Sequence, residues 1–109
     1  FATIDAFLIH RLTGGAAFAT DVSNASRTML FDIRTLRWSP EMCAMFGVNI
    51  DSLPQVVPSS ARIGVTVGDG AIPAGVAISG VAGDQQAALF GQACFAAKPA
   101  CPRKRYSAR

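Results

Sequence analysis

A chain of 109 residues, half of them apolar, is long enough for one domain with a modest core and too apolar to be disordered throughout. Its net charge of +3 invites a nucleic-acid reading, but Lys98, Arg103, Lys104, Arg105 and Arg109 carry half of the ten basic side chains, and residues 1–97 set five Arg against seven acidic residues, a balance of −2. A mildly acidic body argues against a phosphate-binding face, and no apolar run approaches the roughly 20 residues needed to cross a bilayer, so neither nucleic acid nor membrane is expected as a partner.

The chain opens on Phe1 rather than Met, and Ile4, Phe7, Leu8 and Leu12 recur at helical spacing until Thr13-Gly14-Gly15 stops them. This reads as a helix already under way, so the chain is expected to begin inside a longer protein. Ala16 to Thr20 suits a short strand. Asp21-Val22-Ser23-Asn24 offers several capping side chains, with a short helix expected over Ala25 to Leu30 behind them. Ser39-Pro40-Glu41 places a Ser cap before Pro at the first helical position, so Pro40 to Phe46 reads as a helix closed by Gly47.

The turn-rich segments Asp51-Ser52-Leu53-Pro54 and Val57-Pro58-Ser59-Ser60 follow, and Ala61 to Val67 alternates like an edge strand or hairpin arm. Gly68, Gly70, Pro73 and Gly75 mark a loop that feeds the β-prone run Val76 to Ser79. Gly80, Gly83 and Asp84 come next, and Gln85 to Phe95 suits a mostly buried helix. Cysteines 43, 94 and 101 are odd in number and lack paired C-x-x-C spacing, which argues against a zinc or redox site; Cys43 and Cys94 lie inside apolar runs and read as small core residues, and a reducing cytoplasm fits. The lone His10 is given no role, and Trp38 reads as a packing residue.

The order strand, glycine turn, Asp, helix is the most informative pattern. Open α/β sheets bind ligands at the mouth where such turns lie, and Asp84 occupies that place. Phosphoryl transfer to an alcohol needs a carboxylate that orients the attacking hydroxyl and accepts its proton. On local pattern alone a plainer role has the stronger claim: Asp84 as the cap of a helix starting at Gln85. The two roles are compatible.

Residues Ser79 to Gln92, S-G-V-A-G-D-Q-Q-A-A-L-F-G-Q, resemble the G-I-A-G-D-Q-Q-A-A-L-F-G-Q signature of the glycerol kinases, in the FGGY family of carbohydrate kinases. Thr3-Ile4-Asp5 through Gly15, and Thr20-Asp21-Val22-Ser23-Asn24-Ala25-Ser26-Arg27 through Ile33, agree with the same family in order and spacing. The resemblance covers roughly residues 2–95. It implies an incomplete α/β fold: residues 1–95 as the second half of the first domain of an actin-like, ribonuclease-H-like ATPase, working in the complete enzyme with ATP and Mg²⁺ on glycerol or a related polyol, in a homo-oligomer.

In that family the Asp of the G-D-Q-Q motif is the base that activates the glycerol hydroxyl and the following Gln lies at the glycerol site, which the resemblance carries to Asp84 and Gln85. Asp21, Ser23, Asn24 and Arg27 are motif residues for which capping and packing are expected. The family's fructose-bisphosphate control loop has an Arg where Gly75 stands, so that inhibition is not expected here.

Residues 96–109 form a divergent basic tail that departs from the family's P-G-M-A-K-x-T-Y-G-T-G run, as a shift of reading frame near Pro99 would produce. The phosphate-binding elements lie outside the chain, and a piece of this size is expected to be inactive alone. Two alternatives stand beside this reading: a xylulose or other sugar kinase of the same fold, and a small nucleic-acid-binding protein acting through the basic tail.

Overall fold

The structure, a computed structural model, describes residues 1–94. Helix α1 (Ile4–Leu12) leads to strand β1 (Ala19–Asp21), which runs directly into the one-turn helix α2 (Val22–Ala25). A small antiparallel ladder, β2 (Phe31–Asp32) with β3 (Arg37–Trp38), precedes helix α3 (Pro40–Met45) and a 3₁₀ turn at Ile50–Ser52. Strand β4 (Gln55–Val57) then pairs in parallel with β1, aligning Ala19 with Gln55 and Asp21 with Val57. A second antiparallel ladder joins β5 (Gly64–Val65) to β6 (Ala77–Ile78), and helix α4 (Asp84–Gly91) closes the described chain.

Local chemistry accounts for several of these boundaries. Ser39 Oγ accepts from the Met42 backbone N–H at 3.3 Å, Pro40 occupies the first helical position, and Gly47 turns the chain away at φ +66, so α3 stands where its capping residues put it. The β2–β3 hairpin is shaped by Asp32, whose carboxylate accepts from the Arg34 N–H at 2.8 Å and the Thr35 hydroxyl at 3.0 Å. Trp38 closes this region as packing chemistry predicts: its ring meets Phe31 edge-on at 5.6 Å, and its Nε1–H donates to the Pro54 carbonyl at 2.8 Å.

Three expectations need correction. The helix expected over Ala25 to Leu30 forms earlier, over Val22–Ala25, because Asp21 caps it, and the Ser26 and Thr28 hydroxyls then donate to the Ser23 and Ala25 carbonyls and end it. Helix α1 forms where its spacing predicts, but it buries Ala6 and Ile9 and leaves Ile4 80 % exposed, with Phe7 and Leu8 also open. Ala6 and Ile9 lie on the side of the helix that meets β1, whereas Ile4, Phe7 and Leu8 stay at least half open among the described residues. The last helix ends at Gly91 and buries none of its residues, against the buried helix expected to Phe95.

The core is small: Ala6, Ile9, Ala19, Ala25, Leu30 and Cys43 are its buried apolar side chains among the described residues, with Thr20 and Asp21 fully enclosed between them. Cys43 is a free, buried thiol, as expected, and Cys101 lies outside the described residues. No described helix is long and apolar enough to cross a membrane.

The approach of β5 to α1 is close. A Cβ on Gly64 would sit 2.9 Å from Thr13 Cγ2, and Thr13 cannot turn aside because its hydroxyl donates to the Ile9 carbonyl at 2.8 Å and accepts from Ala17 N–H at 3.1 Å. Gly64→Ala is therefore expected to lower stability by about 1–3 kcal/mol, the usual cost of overpacking, read as a fall in the denaturation midpoint. An unchanged midpoint would mean that Thr13 is not held there.

Candidate active site

The site is built at the carboxyl end of the parallel pair. Asp21 ends β1 and Ser59 follows β4 by two residues, so both stand at the sheet edge where α/β folds bind ligands. Asp84 does not reach this edge as the end of a sheet strand, since β6 belongs to a separate ladder. It is brought there by the turn before α4, which hydrogen bonds to residues beside β1 and β4.

Asp21 is fully buried and accepts a dense set of hydrogen bonds. Its Oδ2 takes the Ser23 N–H at 3.0 Å, the Ser23 hydroxyl at 2.6 Å and the Ser59 hydroxyl at 2.5 Å. Its Oδ1 takes the Asn24 N–H at 3.0 Å and the Asn24 side-chain amide at 2.7 Å. Burial by itself pushes the Asp21 carboxyl up, but the hydrogen bonds from Ser23, Ser59 and the Asn24 backbone outweigh it and hold the group below the ordinary value of 3.8.

The turn before α4 is tied at two points. The Gly83 N–H donates to Ser23 Oγ at 2.7 Å, and the Val81 N–H donates to the Ser59 carbonyl at 2.9 Å. Helix α4 then begins at Asp84, not at Gln85, with Gly83 as its cap and no side chain capping it. The expected capping role is thus corrected: Asp84 is the first helical residue, and its Oδ1 accepts only from the adjacent Gln85 N–H at 2.7 Å. The side chain is exposed, and its Oδ2 has no partner among the described residues.

Gln85 is positioned differently. Its Oε1 accepts from the Arg27 guanidinium, which reaches across from just beyond α2. That contact occupies the amide oxygen, and the Nε2 of the exposed Gln85 side chain is a donor only. Asp84 and Gln85 are thus neighbours in sequence with complementary chemistry, one an acceptor and the other a donor. Sequence reasoning gave Ser23 and Arg27 only capping and packing, and it missed Ser59. The signal for Ser59 was the Pro58-Ser59-Ser60 turn, whose hydroxyl has no local partner to announce its role.

A model of the N-terminal domain of the FGGY family of carbohydrate kinases matches residues 1–91. The chain belongs to that family. It is 58 % identical over 95 residues to the glycerol kinase of Myxococcus xanthus (strain DK1622), covering 87 % of this chain and 19 % of that protein. It is 57 % identical over 97 residues to the glycerol kinase of Polaromonas sp. (strain JS666), covering 89 % of this chain and 19 % of that protein.

Among solved structures it superimposes on Plasmodium falciparum glycerol kinase with ADP at a TM-score of 0.79, with 41 % identity, over 85 % of this chain and 19 % of that one. A ligand-bound xylulose kinase from Lactobacillus acidophilus matches at a TM-score of 0.71 and 24 % identity over 83 % of this chain, a likeness of fold. The chain thus spans about a fifth of the length of the curated relatives it matches. The FGGY assignment bears out the expected α/β, actin-like fold. The basic tail, and with it the nucleic-acid alternative, lies outside the described residues.

Proposed function

We propose that this FGGY segment is the second half of the first domain of an ATP-dependent glycerol kinase, and that it supplies the catalytic base, Asp84, and a glycerol-binding residue, Gln85. One observation carries the reading: an exposed carboxylate with an open oxygen stands at the edge of the parallel pair, inside the stretch that resembles the glycerol-kinase motif. Identity above 50 % to curated glycerol kinases supports glycerol as the alcohol.

Asp84 accepts a hydrogen bond from a primary hydroxyl of glycerol and takes its proton as the oxygen attacks the γ-phosphorus of ATP in line. The new O–P bond forms while the bridge to the β-phosphate breaks, giving glycerol 3-phosphate and ADP. Gln85, its oxygen occupied by Arg27, donates from Nε2 to a neighbouring hydroxyl and fixes which carbon faces the phosphate. Among the described residues no three His, Cys, Asp or Glu side chains gather into a group that could hold a metal ion. Nucleotide binding and any assembly into oligomers belong to the complete enzyme.

The test is ATP-dependent phosphorylation by the complete kinase that carries this segment, with glycerol, other polyols and xylulose offered side by side. Glycerol is expected to give the highest kcat/KM. A preference for xylulose would keep the family and overturn the substrate.

A further inference from the structure

Asp84 has to be held within a fraction of an ångström to act as a base, yet α4 buries none of its own residues. The position is set from outside the helix, by the turn that leads into it. The atoms that hold this turn come from the Asp21 cluster, which the reaction itself does not use.

We propose that Ser23 and Ser59, both oriented by the buried Asp21 carboxylate, are positioning residues that lock the turn from Val81 to Gly83 and thereby place Asp84 at the substrate. This rests on the reading of Asp84 as the base. A serine hydroxyl has one proton to give, and Ser23 gives it to Asp21 Oδ2 at 2.6 Å. With that proton given, Ser23 Oγ can only accept from other groups, and the Gly83 N–H donates to it at 2.7 Å. Ser59 gives its hydroxyl proton to the same carboxylate oxygen at 2.5 Å, which fixes its residue so that its carbonyl receives the Val81 N–H at 2.9 Å.

An ionised carboxylate only accepts, so Asp21 dictates the direction of both hydroxyls. The two ties reach the turn from opposite strands of the parallel pair, one beyond β1 and one beyond β4. The turn is therefore registered to the sheet edge itself. Gly83, the residue directly before Asp84, receives the closer tie and is the cap of α4.

The test uses the complete kinase with glycerol and ATP. Ser23→Ala removes the acceptor for Gly83 and is expected to lower kcat about 10- to 100-fold, the usual effect of a displacement near 1 Å, with the KM for ATP unchanged. Ser23→Thr keeps the hydroxyl and is expected to restore turnover to within about threefold of wild type. In an Asp84→Asn background, Ser23→Ala should slow the enzyme by less than about threefold further, because residues acting as one unit are not additive; a general structural role would still slow it.

A folded Ser23→Ala enzyme with wild-type kcat, beside an Asp84→Asn enzyme that has lost turnover, would sink this inference and leave the base assignment standing. Retained turnover in Asp84→Asn would bring down both. If Ser23→Ala does not fold, Ser59→Ala decides by the same kcat and KM criteria. Loss of the fold in both serine variants would show a structural role and overturn the proposal.

Discussion

Asp84→Asn in the complete kinase is expected to cut turnover by about 10² to 10⁴ while the protein stays folded, the range that general-base catalysis usually contributes. Asn matches Asp in size, and its carbonyl oxygen can still accept the Gln85 N–H that Asp84 Oδ1 accepts now. The side chain is exposed, so the exchange disturbs no core packing. What disappears is the proton acceptor for the attacking hydroxyl. Steady-state kinetics with glycerol and ATP, next to a thermal unfolding curve, separate the two effects. Turnover above about a third of the wild-type value would place the base elsewhere.

The second large effect is expected at Asp21, and it falls on stability. Asp21→Ala leaves the half-buried Ser23, Asn24 and Ser59 donors facing an apolar methyl group where a fully buried carboxylate stood. A fully buried donor without a partner costs about 1–3 kcal/mol, and these half-buried donors cost less each but are lost together, so a loss of about 1–3 kcal/mol is expected, seen as a fall in denaturation midpoint or soluble yield. Asp32 provides the contrast. Its bonds to Arg34 and Thr35 lie in an exposed turn, and Asp32→Asn should change the midpoint little.

The pH dependence follows from the same cluster. The folded Asp21 carboxyl titrates below its ordinary value of 3.8, so its contribution is complete above that value and is lost as pH falls through the lower folded one. Asp21→Asn carries no such charge and should lose less stability on acidification. The gap between wild type and Asp21→Asn is thus expected to narrow below about pH 4; a gap of constant size would mean that ionisation of Asp21 does not stabilise the fold.

Some features of this protein were decided within a few residues of chain and could be read from the sequence. Ser39, Pro40 and Gly47 bound α3 by themselves, because a cap, a fixed φ and a left-handed glycine act locally. The existence of α1, the glycine turn before Asp84 and the identity of Asp84 and Gln85 as site candidates were equally legible, the last through a motif.

Other features depended on which segments meet. Spacing in α1 marked an apolar face, but the face that is buried is the one with Ala6 and Ile9, because burial depends on which element packs against the helix, here β1. The start of α4 was misread by one residue: an extended Gly83 held by Ser23 moves the cap off Asp84 and leaves its carboxylate to solvent.

The cluster around Asp21 shows the limit most clearly. Its cap bonds to Ser23 and Asn24 are local and were foreseeable, whereas its bond to Ser59 spans 38 residues and the Ser23 bond to Gly83 spans 60. A hydroxyl carries no sign in the sequence of which distant carboxylate or amide it will meet. Only the parallel pairing of β1 with β4 brings those groups to one edge, where a single buried charge can orient two serines and the turn that carries Asp84.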